Sequence, residues 1–496
     1  MAFVNWARNQ SGTPAEVRSP SSVEDVVRAV RDAAASGRRL RMVGTGHSFT
    51  GVALTDGIML RPGALTGVRT WADDRVTVLA GTSLRALNES LARRGLALAN
   101  MGDITEQTVA GAIQTGTHGT GRDSGGLADQ VTELELVLAD GTVATVAPGE
   151  DLFDAARVGL GALGVLTAVT LRVEPAFLLR NRRRRLPLGD ILGTLDELTT
   201  ANEHLDFFWL PHTDACLVKT NNRSPGPARP PGAFRRWLDT VFLENTLFGA
   251  ACALGARVPA LIPRINELSA AALGDSESVD ASYRAFTARR DVRFLEMEYA
   301  VPRERLAQAL RETRDLVERM DWKITFPVEV RVTPPSDAWL STAYGRPSAY
   351  VACHLYRPTP NPDYFEGVEE IMTRLDGRPH WGKLHTRDAA YLAKVYPASR
   401  TSRPCATAWT PAACSPTPTW TPCWAPEQAE CPAPCRAPSP AACRAPARPA
   451  PCRVTAPPRP RPAPPASAGR WACPPATAPP SRTGWAPGSA SARGWA

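Results

Sequence analysis

The chain has 496 residues and a formal net charge of +8, and hydrophobic residues make up 43% of it. This length allows two or three domains, since one hydrophobic core rarely grows beyond roughly 250–300 residues. The excess charge lies after residue 400, where ten Arg accompany only two acidic residues, and the rest of the chain is neutral. The composition therefore indicates a globular enzyme and gives no reason to expect a nucleic-acid partner.

Cysteine usage and hydropathy bear on the compartment. Only Cys216, Cys252 and Cys353 precede residue 401, and such a sparse, odd set predicts free thiols in a reducing environment. The tail cysteines have neither CxxC spacing nor nearby histidines, so no metal site is expected.

No secretory signal opens the chain, and the most apolar stretch, residues 247–263, is interrupted by Arg257 and Pro259. We therefore expect a cytoplasmic protein without a stable membrane span. The stretch itself is expected to be a buried or interfacial helix, with peripheral membrane contact as an alternative.

The first part of the chain alternates helix and strand patterns. Ser22 precedes acidic residues and apolar residues at helical spacing, which predicts a helix over 22–35. An Asp-Gly turn between two alternating segments predicts a hairpin. The predicted strands are 40–43, 76–80, 132–138, 143–146 and 166–173, and a further helix spans 83–94.

A basic run at 180–185 is interpreted as a solvated connector at a domain junction. A mixed α+β pattern follows, with a Pro/Gly-rich loop at 224–232. Its predicted strands are 206–210, 294–300 and 328–332, and its predicted helices are 303–320 and 364–375.

The last 96 residues contain 24 Pro and no Leu, Ile, Phe, Met or Tyr. A segment of this composition cannot bury enough apolar surface to offset its conformational entropy, so it is predicted to be disordered. A functional Pro-rich tail is one interpretation. Because the change is abrupt and its residues have GC-rich codons, a slipped reading frame near 396–400 is another.

The first candidate site follows the strand 40–43 and consists of Gly44, Thr45, Gly46, His47, Ser48 and Phe49. Glycines after a strand allow backbone N–H groups to converge on an anion such as a pyrophosphate. The spacing matches neither the dinucleotide-binding GxGxxG nor a P-loop. From the residues alone, His47 could equally hydrogen-bond within its own turn.

Two more stretches are rich in Gly and Thr, which permit close backbone approach and supply hydroxyl groups. A tight crossover loop or plain packing would explain them as well. Their candidate residues are Gly102, Asp103, Thr108, Gly111, Thr115, Thr117, His118 and Gly119, followed by Gly164 and Val165.

In this order and spacing, the stretches resemble the FAD domain of vanillyl-alcohol-oxidase-type flavoproteins, most closely the sugar-1,4-lactone oxidases and the related alditol oxidases. The resemblance covers residues 1 to about 396. Its motifs are Asn5-Trp6, Gly44-Thr45-Gly46-His47-Ser48-Phe49, Ala110-Gly111-Ala112, Thr117-His118-Gly119 and Gly161-Ala162-Leu163-Gly164. It implies an α+β fold with a two-subdomain FAD-binding domain at 1–178, a mixed α+β substrate (cap) domain at 179–396 and the tail at 397–496. It also implies FAD bound covalently through His47.

A further site is expected in the second domain. Glu329 and Arg331 share one face of a predicted strand, and Lys383 follows His380 in a His-Trp-Gly-Lys stretch. On the residues alone, a structural ion pair and a surface lysine are the simpler interpretations. The resemblance implies that Glu329 and Arg331 bind the reacting hydroxyl, that Lys383 places the substrate near flavin N5, and that His380 lies beside the flavin.

The expected function is therefore FAD-dependent oxidation of an L-gulono- or D-arabinono-1,4-lactone, with molecular oxygen as acceptor. An alditol oxidase and a dehydrogenase with a non-oxygen acceptor are the alternatives. Asp103 stands where alditol oxidases carry a small pair that includes a serine, which favours the lactone, and Gly102 leaves space that favours oxygen access. The C-terminal segment typical of the family is replaced by the tail, so an inactive truncated flavoprotein is a further alternative. The sequence does not define the oligomeric state.

Overall fold

The computed structural model describes residues 2–357 and 363–399. The predicted tail, with its proposed disorder and slipped frame, lies outside the described residues. The strands of the first half are β1 (Phe3–Val4), β2 (Ser11–Gly12), β3 (Glu16–Arg18), β4 (Leu40–Met42), β5 (Ile58–Leu60), β6 (Val68–Trp71), β7 (Arg75–Leu79), β8 (Leu96–Ala97), β9 (Val131–Val137), β10 (Val143–Val146), β11 (Val165–Arg172) and β12 (Glu174–Pro175). Its helices are α1 (Val23–Ala35), α2 (Leu84–Ala92), α3 (Val109–Gln114) and α4 (Asp151–Ala156).

The second half is built around longer strands. They are β13 (Leu178–Pro187), β14 (His204–Trp209), β15 (Ala215–Ser224), β16 (Ser276–Ala281), β17 (Phe294–Pro302), β18 (Val328–Thr333), β19 (Ser348–Tyr356) and β20 (Arg378–Pro379). Its helices are α5 (Leu188–Gly193), α6 (Leu195–Ala201), α7 (Ala233–Trp237), α8 (Phe248–Arg257), α9 (Ile262–Ala272), α10 (Ser282–Phe286), α11 (Leu306–Arg319), α12 (Asp363–Arg374) and α13 (Ala389–Val395).

The first half contains two larger sheets: a parallel sheet in the order β3-β5-β4, and an antiparallel sheet in the order β10-β9-β11-β7-β6. Two short antiparallel pairs, β1-β2 and β12-β8, accompany them. Helix α1 buries Val26, Ala29, Val30 and Ala33 at the predicted helical spacing. Ser22 caps this helix by accepting a hydrogen bond from the backbone N–H of Asp25, whose side chain completes a capping box. The sequence-based prediction of this helix is confirmed.

The second half contains one antiparallel sheet in the order β16-β13-β15-β14-β18-β19-β17-β20. Because side chains alternate along a strand, each strand presents one set to each face. One face is apolar and packs with residues of α11 and α12 in a second core that includes Val330, Val351 and Tyr299. The opposite face carries Glu329, Arg331, Glu296 and Glu298, and Arg331 on this face contacts His118 and Asp103 of the first half.

The prediction that residues 180–185 form a connector is wrong, because they lie inside β13 and pair with β15 and β16 on either side. Period-two alternation allows successive arginines to reach acidic partners on both faces of this strand. Arg182 pairs with Glu277 at 2.5 Å, and Arg183 pairs with Glu244 at 2.9 Å. Ion pairs with acidic residues of neighbouring elements therefore neutralise the arginines and allow this segment to form a strand.

The apolar stretch at 247–263 forms α8, a short 3₁₀ turn at Pro259–Leu261 and the start of α9. Of this stretch Cys252 and Ile262 are fully buried, whereas Leu247, Leu254 and Val258 are exposed. Within the described residues, every helix is too short or too polar to cross a bilayer.

The larger hydrophobic core contains residues from both halves of the chain. Trp381, Leu392, Val395 and Tyr396 from the end of the described chain pack there with residues of the first two sheets. The indole N–H of Trp381 donates to the Leu340 carbonyl at 2.7 Å. The His-Trp-Gly-Lys stretch is thus fixed against the first half of the molecule, which positions the residues on either side of Trp381.

Candidate active site

The loop after β4 lines a cavity whose walls come from the three Gly/Thr-rich stretches. A Cβ added at Gly44 would lie 2.5 Å from Oγ1 of Thr108, the residue that caps α3. Gly46 has a φ of +74°, a conformation that other residues rarely adopt. The loop therefore requires glycine at both positions, and it leaves backbone and space where a pyrophosphate-bearing cofactor fits.

The loop is braced by residues distant in sequence. The backbone N–H of Trp6 donates to the Gly46 carbonyl at 2.8 Å, and the amide of Asn5 donates to the Ser48 carbonyl at 2.9 Å. From the second half, the Gly382 carbonyl accepts from the Phe49 N–H at 2.7 Å. These bonds fix the backbone on both sides of His47.

His47 stacks on Trp6, with ring centroids 5.5 Å apart and an interplanar angle of 22°. Burial lowers the pKa of His47, with Lys383 acting in the same direction and Glu106 opposing. The imidazole is therefore neutral at physiological pH, and a neutral ring nitrogen is the form that can attack an electrophile.

The predicted cofactor residues divide between two adjoining cavities. The first cavity is lined by Gly44, Thr45, Gly46, His47, Ser48, Thr108, Gly111, Thr115, Gly164 and Val165. The second is lined by Gly102, Asp103, Thr117, His118, His380 and Phe49 together with His47, Ser48 and Thr115. Gly119 has a packing role, because an added Cβ would lie 2.4 Å from the Met101 carbonyl oxygen.

His47, Ser48, Gln107 and Thr115 line both cavities. The two spaces therefore meet at the predicted attachment residue. An elongated cofactor could extend from the glycine loop in the first cavity to a reactive end in the second.

An ion-pair network lies at one wall of the second cavity, which Asp103, Arg290 and Arg331 line. Its fourth member, Glu329, lines an adjoining cavity together with Arg331 and Lys383. Arg331 contacts Glu329 through two nitrogens at 2.5 and 2.7 Å, and it reaches Asp103 at 3.3 Å. Arg290 lies on the other oxygen of Asp103, also at 3.3 Å. The side chain of Asp103 thus joins a loop of the first half to strand β18 and to the loop before β17.

The charged groups of this network shift one another's pKa values. Burial opposes the charged form of Asp103, but Arg331 and Arg290 outweigh it and hold the pKa of Asp103 well below its ordinary value. Burial raises the pKa of Glu329, with Arg331 opposing and Asp103 reinforcing the shift. Glu329 is therefore the carboxylate of this network that accepts a proton most readily.

A second group surrounds Lys383. Its ammonium is paired with Glu296, lies 5.3 Å from the centroid of the Phe49 ring, and is partly buried in the cavity wall. Burial opposes the charge of Lys383, but Glu296 and then Glu298 raise its pKa. Burial likewise opposes the charge of Glu296, but Lys383 and His354 lower its pKa to about 2. The pair is thus ionised, and Lys383 is a fixed cation rather than a base.

A third group contains His118, Glu298 and His380. The His118 ring stacks on Tyr350 at 3.7 Å, and its Nε2 lies 3.5 Å from the Glu298 carboxylate. Burial lowers the pKa of His380 to about 4, and its Nδ1 accepts from the Gly382 N–H, so its Nε2 carries the proton. The ligand atoms of His118, Glu298 and His380 lie within 4.8 Å of one another, a spacing that could also hold a metal ion, so the expectation of no metal stays a prediction.

Arg290, Glu296, Glu298 and His354 were missed by sequence analysis. A signal existed for two of them, because Glu296 and Glu298 alternate with apolar residues on a predicted strand. Their significance depends on register: Glu298 and Glu329 both lie opposite Ala352, and Glu296 lies opposite His354. This register places the acidic residues of β17 and β18 on one face of the sheet.

Solved structures show which class of fold this is. The chain superposes on a solvent-stable cholesterol oxidase with a TM-score of 0.70 at 19% identity, covering 83% of this chain and 95% of that one. A second cholesterol oxidase, from B. sterolicum, gives a TM-score of 0.69 at 18% identity. A family model described as an FAD binding domain matches residues 14–147. The fold and the cradle thus define an FAD-binding protein, as predicted.

The family follows from closer relatives. A model described as D-arabinono-1,4-lactone oxidase matches residues 169–402. L-gulono-1,4-lactone dehydrogenase of Mycobacterium tuberculosis is 42% identical over 398 residues, covering 79% of this chain and 92% of the relative. L-gulonolactone oxidase of Bos taurus is 34% identical and alditol oxidase of a Streptomyces species 33% identical, each covering 80% of this chain and 92% of the relative.

The chain belongs to this family of FAD-dependent sugar-lactone oxidases and dehydrogenases, in which alditol oxidase forms a related branch. The predicted resemblance, fold and enzyme class are confirmed. The proposed domain boundary near residue 178 and the individual roles of the site residues stay predictions.

Proposed function

We propose that this protein oxidises the CH–OH group of a sugar-1,4-lactone of the L-gulono or D-arabinono type. The observation that carries the proposal is the Arg331–Glu329 pair, buried on the polar face of the sheet, whose Arg331 lines the cavity next to the cofactor cradle. A neutral lactone suits a cavity in which Arg331, Arg290 and Lys383 all have carboxylate partners.

The cofactor in this proposal is FAD, held by the glycine loop and covalently attached through His47. The close contact of Gly44 with Thr108 and the neutral, stacked imidazole of His47 support this assignment. When bound, FAD supplies the hydride acceptor at N5, while the protein supplies orientation and electrostatics.

Four side chains bind the substrate or assist the reaction in this proposal. Glu329, whose pKa is raised by burial, takes the proton of the reacting hydroxyl. Arg331 stabilises the negative charge that develops on that oxygen, and Lys383 orients the substrate as a fixed cation held by Glu296. Asp103 also contacts Arg331, at 3.3 Å, and this second carboxylate limits the movement of the guanidinium.

For the acceptor we propose molecular oxygen, with a non-oxygen acceptor as the alternative. Gly102 supports oxygen access less than the sequence alone suggests. An added Cβ at this position would meet the His118 carbonyl at 3.1 Å and Thr117 Cγ2 at 3.2 Å rather than open space. The name of the Mycobacterium tuberculosis relative favours the alternative. Turnover with oxygen alone, compared with turnover on an artificial dye, decides between them.

An alditol substrate is the second candidate, favoured by the Streptomyces relative. The carboxylate of Asp103, engaged by two arginines, stands against it because it offers the substrate no free hydroxyl donor of the serine type. We also propose a cytoplasmic location, which the free, buried Cys216, Cys252 and Cys353 support.

Purified protein tests the proposal. We expect yellow protein that oxidises gulonolactone or arabinonolactone faster than xylitol or sorbitol. A preference for the alditols would replace the substrate assignment. Colourless, soluble protein would instead support the alternative of an inactive truncated flavoprotein.

A further inference from the structure

The adjoining cavity that contains Glu329 is the third cavity of the site. Asp103, Arg331 and Lys383 line both this cavity and the second one, whereas Glu329 lines only the third of the two. In the proposed reaction the reactive end of FAD occupies the second cavity, and Glu329 takes the proton of the reacting hydroxyl. The body of the substrate therefore extends into the third cavity, whose walls determine which substrate is accepted.

Part of the wall of the third cavity is aromatic. Phe294, which also lines the second cavity, lies 5.5 Å from Phe326, and Phe326 lies 4.8 Å from Phe248 of α8, measured between ring centroids. These rings offer apolar surface to the C–H groups of a sugar but no hydrogen bond. Recognition of the hydroxyl groups of a substrate therefore depends on the polar side chains of this cavity.

Most of these polar side chains are already held by the protein. Asp103 contacts an arginine through each of its two oxygens, both at 3.3 Å. Glu296 contacts Lys383 through one oxygen and His354 through the other, the latter at 3.6 Å. The side-chain amide of Asn245 makes three hydrogen bonds with backbone groups. These three side chains are therefore occupied by internal contacts.

Two carboxylate oxygens of the third cavity differ from the others. Both contacts of Arg331 are with Oε1 of Glu329, and Arg183 donates to Oε1 of Glu244 at 2.9 Å. In the part of the chain that the structure describes, no group donates a hydrogen bond to Oε2 of Glu329 or to Oε2 of Glu244. An ionised carboxylate can only accept, so each of these oxygens suits a hydroxyl group.

We propose that Glu244 determines specificity by accepting a hydrogen bond from the terminal hydroxyl of the lactone side chain. The inference rests on the proposed function, in which Glu329 binds the reacting hydroxyl. Glu244, on a π-helical segment at Leu238–Leu247, lines the third cavity and not the second, so it lies on the side away from the cofactor. A gulono-1,4-lactone has two carbons outside its ring and an arabinono-1,4-lactone has one. The longer side chain is therefore expected to fit better.

Deletion of one hydroxyl from the substrate tests the proposal on the unaltered holoenzyme. We expect kcat/KM for 6-deoxy-L-gulono-1,4-lactone to be about 10- to 100-fold lower than for L-gulono-1,4-lactone, because a hydrogen bond to a charged acceptor is lost. Glu244→Leu, which has no acceptor, should lower kcat/KM for the parent lactone by a similar factor and abolish the difference between the two substrates. Such non-additivity is expected when the deleted hydroxyl and the deleted carboxylate contact each other.

The matched control is Glu277→Leu. Glu277 pairs with Arg182, the neighbour of Arg183 on β13, but it does not line the third cavity. This variant should keep the full preference for the parent lactone over the deoxy analogue.

Equal kcat/KM for the two substrates in the unaltered protein would overturn the proposal, whether or not Glu244→Leu folds. A loss in Glu244→Leu that is the same for both substrates would also overturn it, because the carboxylate would then have a structural role. If flavin-loaded protein oxidises no lactone at all, the proposed function fails and this inference fails with it.

Discussion

The cofactor cradle and the charged wall of the substrate cavity are built in different ways. The cradle depends on the backbone: Gly44 and Gly46 allow close approach to α3, and hydrogen bonds from Trp6 and Asn5 fix the loop. The charged wall depends on side chains from β17, β18 and two loops. Local sequence therefore determines the cradle, whereas strand register determines the wall.

This difference predicts different consequences of substitution. Changes in the cradle should alter how much FAD is held and leave the chemistry of the remaining holoenzyme intact. Changes in the wall should leave FAD content unaltered and lower turnover. The exposed pair Arg182–Glu277 on the same sheet provides a matched control for the buried pair Arg331–Glu329.

The largest effect is expected for Glu329→Gln, which removes the proposed base. We expect kcat to fall by about 10²–10⁴ with unchanged FAD content. In the unaltered protein, kcat/KM should decrease as the pH falls through the pKa of Glu329, which burial places above its ordinary value of 4.5. The variant should lack this acidic limb, whereas Glu277→Gln should keep it. An unchanged pH profile in Glu329→Gln would remove the residue from proton transfer.

Substitution of Arg331 by Ala should lower turnover by roughly one to three orders of magnitude, comparable to the loss of one oxyanion donor. Steady-state kinetics on gulonolactone measures the effect, and Arg182→Ala should match the unaltered protein. Kinetics of Arg331→Ala that equal those of the control would show that the buried pair is structural.

The comparison also explains what the sequence could predict. The Ser22 cap, the Asp-Gly hairpin and the glycine loop are local signals, and the structure has the corresponding elements within a few residues. The partners of Lys383 were not predictable, because Glu296 is 87 residues away and reaches it only through the pairing of β17. The same reason explains the error at 180–185, where acidic partners far along the chain permit a basic strand.

Gly44→Ala should reduce FAD binding without altering the charged wall. The added Cβ would meet Thr108 Oγ1, which cannot rotate away without giving up its cap on α3, and overpacking of this kind costs about 1–3 kcal/mol. Because FAD must bind non-covalently before it is attached to His47, distortion of the loop should lower the fraction of protein that acquires flavin. The flavin-to-protein absorbance ratio of protein produced at limiting FAD should therefore fall. Gly189→Ala, at a glycine with open space around it, is the control. Full FAD occupancy in both variants would show that FAD binding does not depend on the close approach of Gly44 to Thr108.

The smallest effect is expected for Glu296→Gln. Since Glu296 raises the pKa of Lys383, its removal should lower that pKa and move the alkaline limb of kcat/KM to lower pH. FAD content should not change. An alkaline limb that stays in place would show that Lys383 does not need this carboxylate to remain charged.

The cofactor assignment depends on the glycine loop presenting His47 to the flavin. The most direct test is mass spectrometry of the proteolytic peptide that contains His47, taken from denatured protein. We expect this peptide to carry the mass of one covalently bound FAD, and we expect no flavin-bearing peptide from His47→Ala that has folded normally. A His47 peptide of unmodified mass from yellow, active protein would contradict the covalent attachment, and flavin found on another residue would contradict the assignment of the loop.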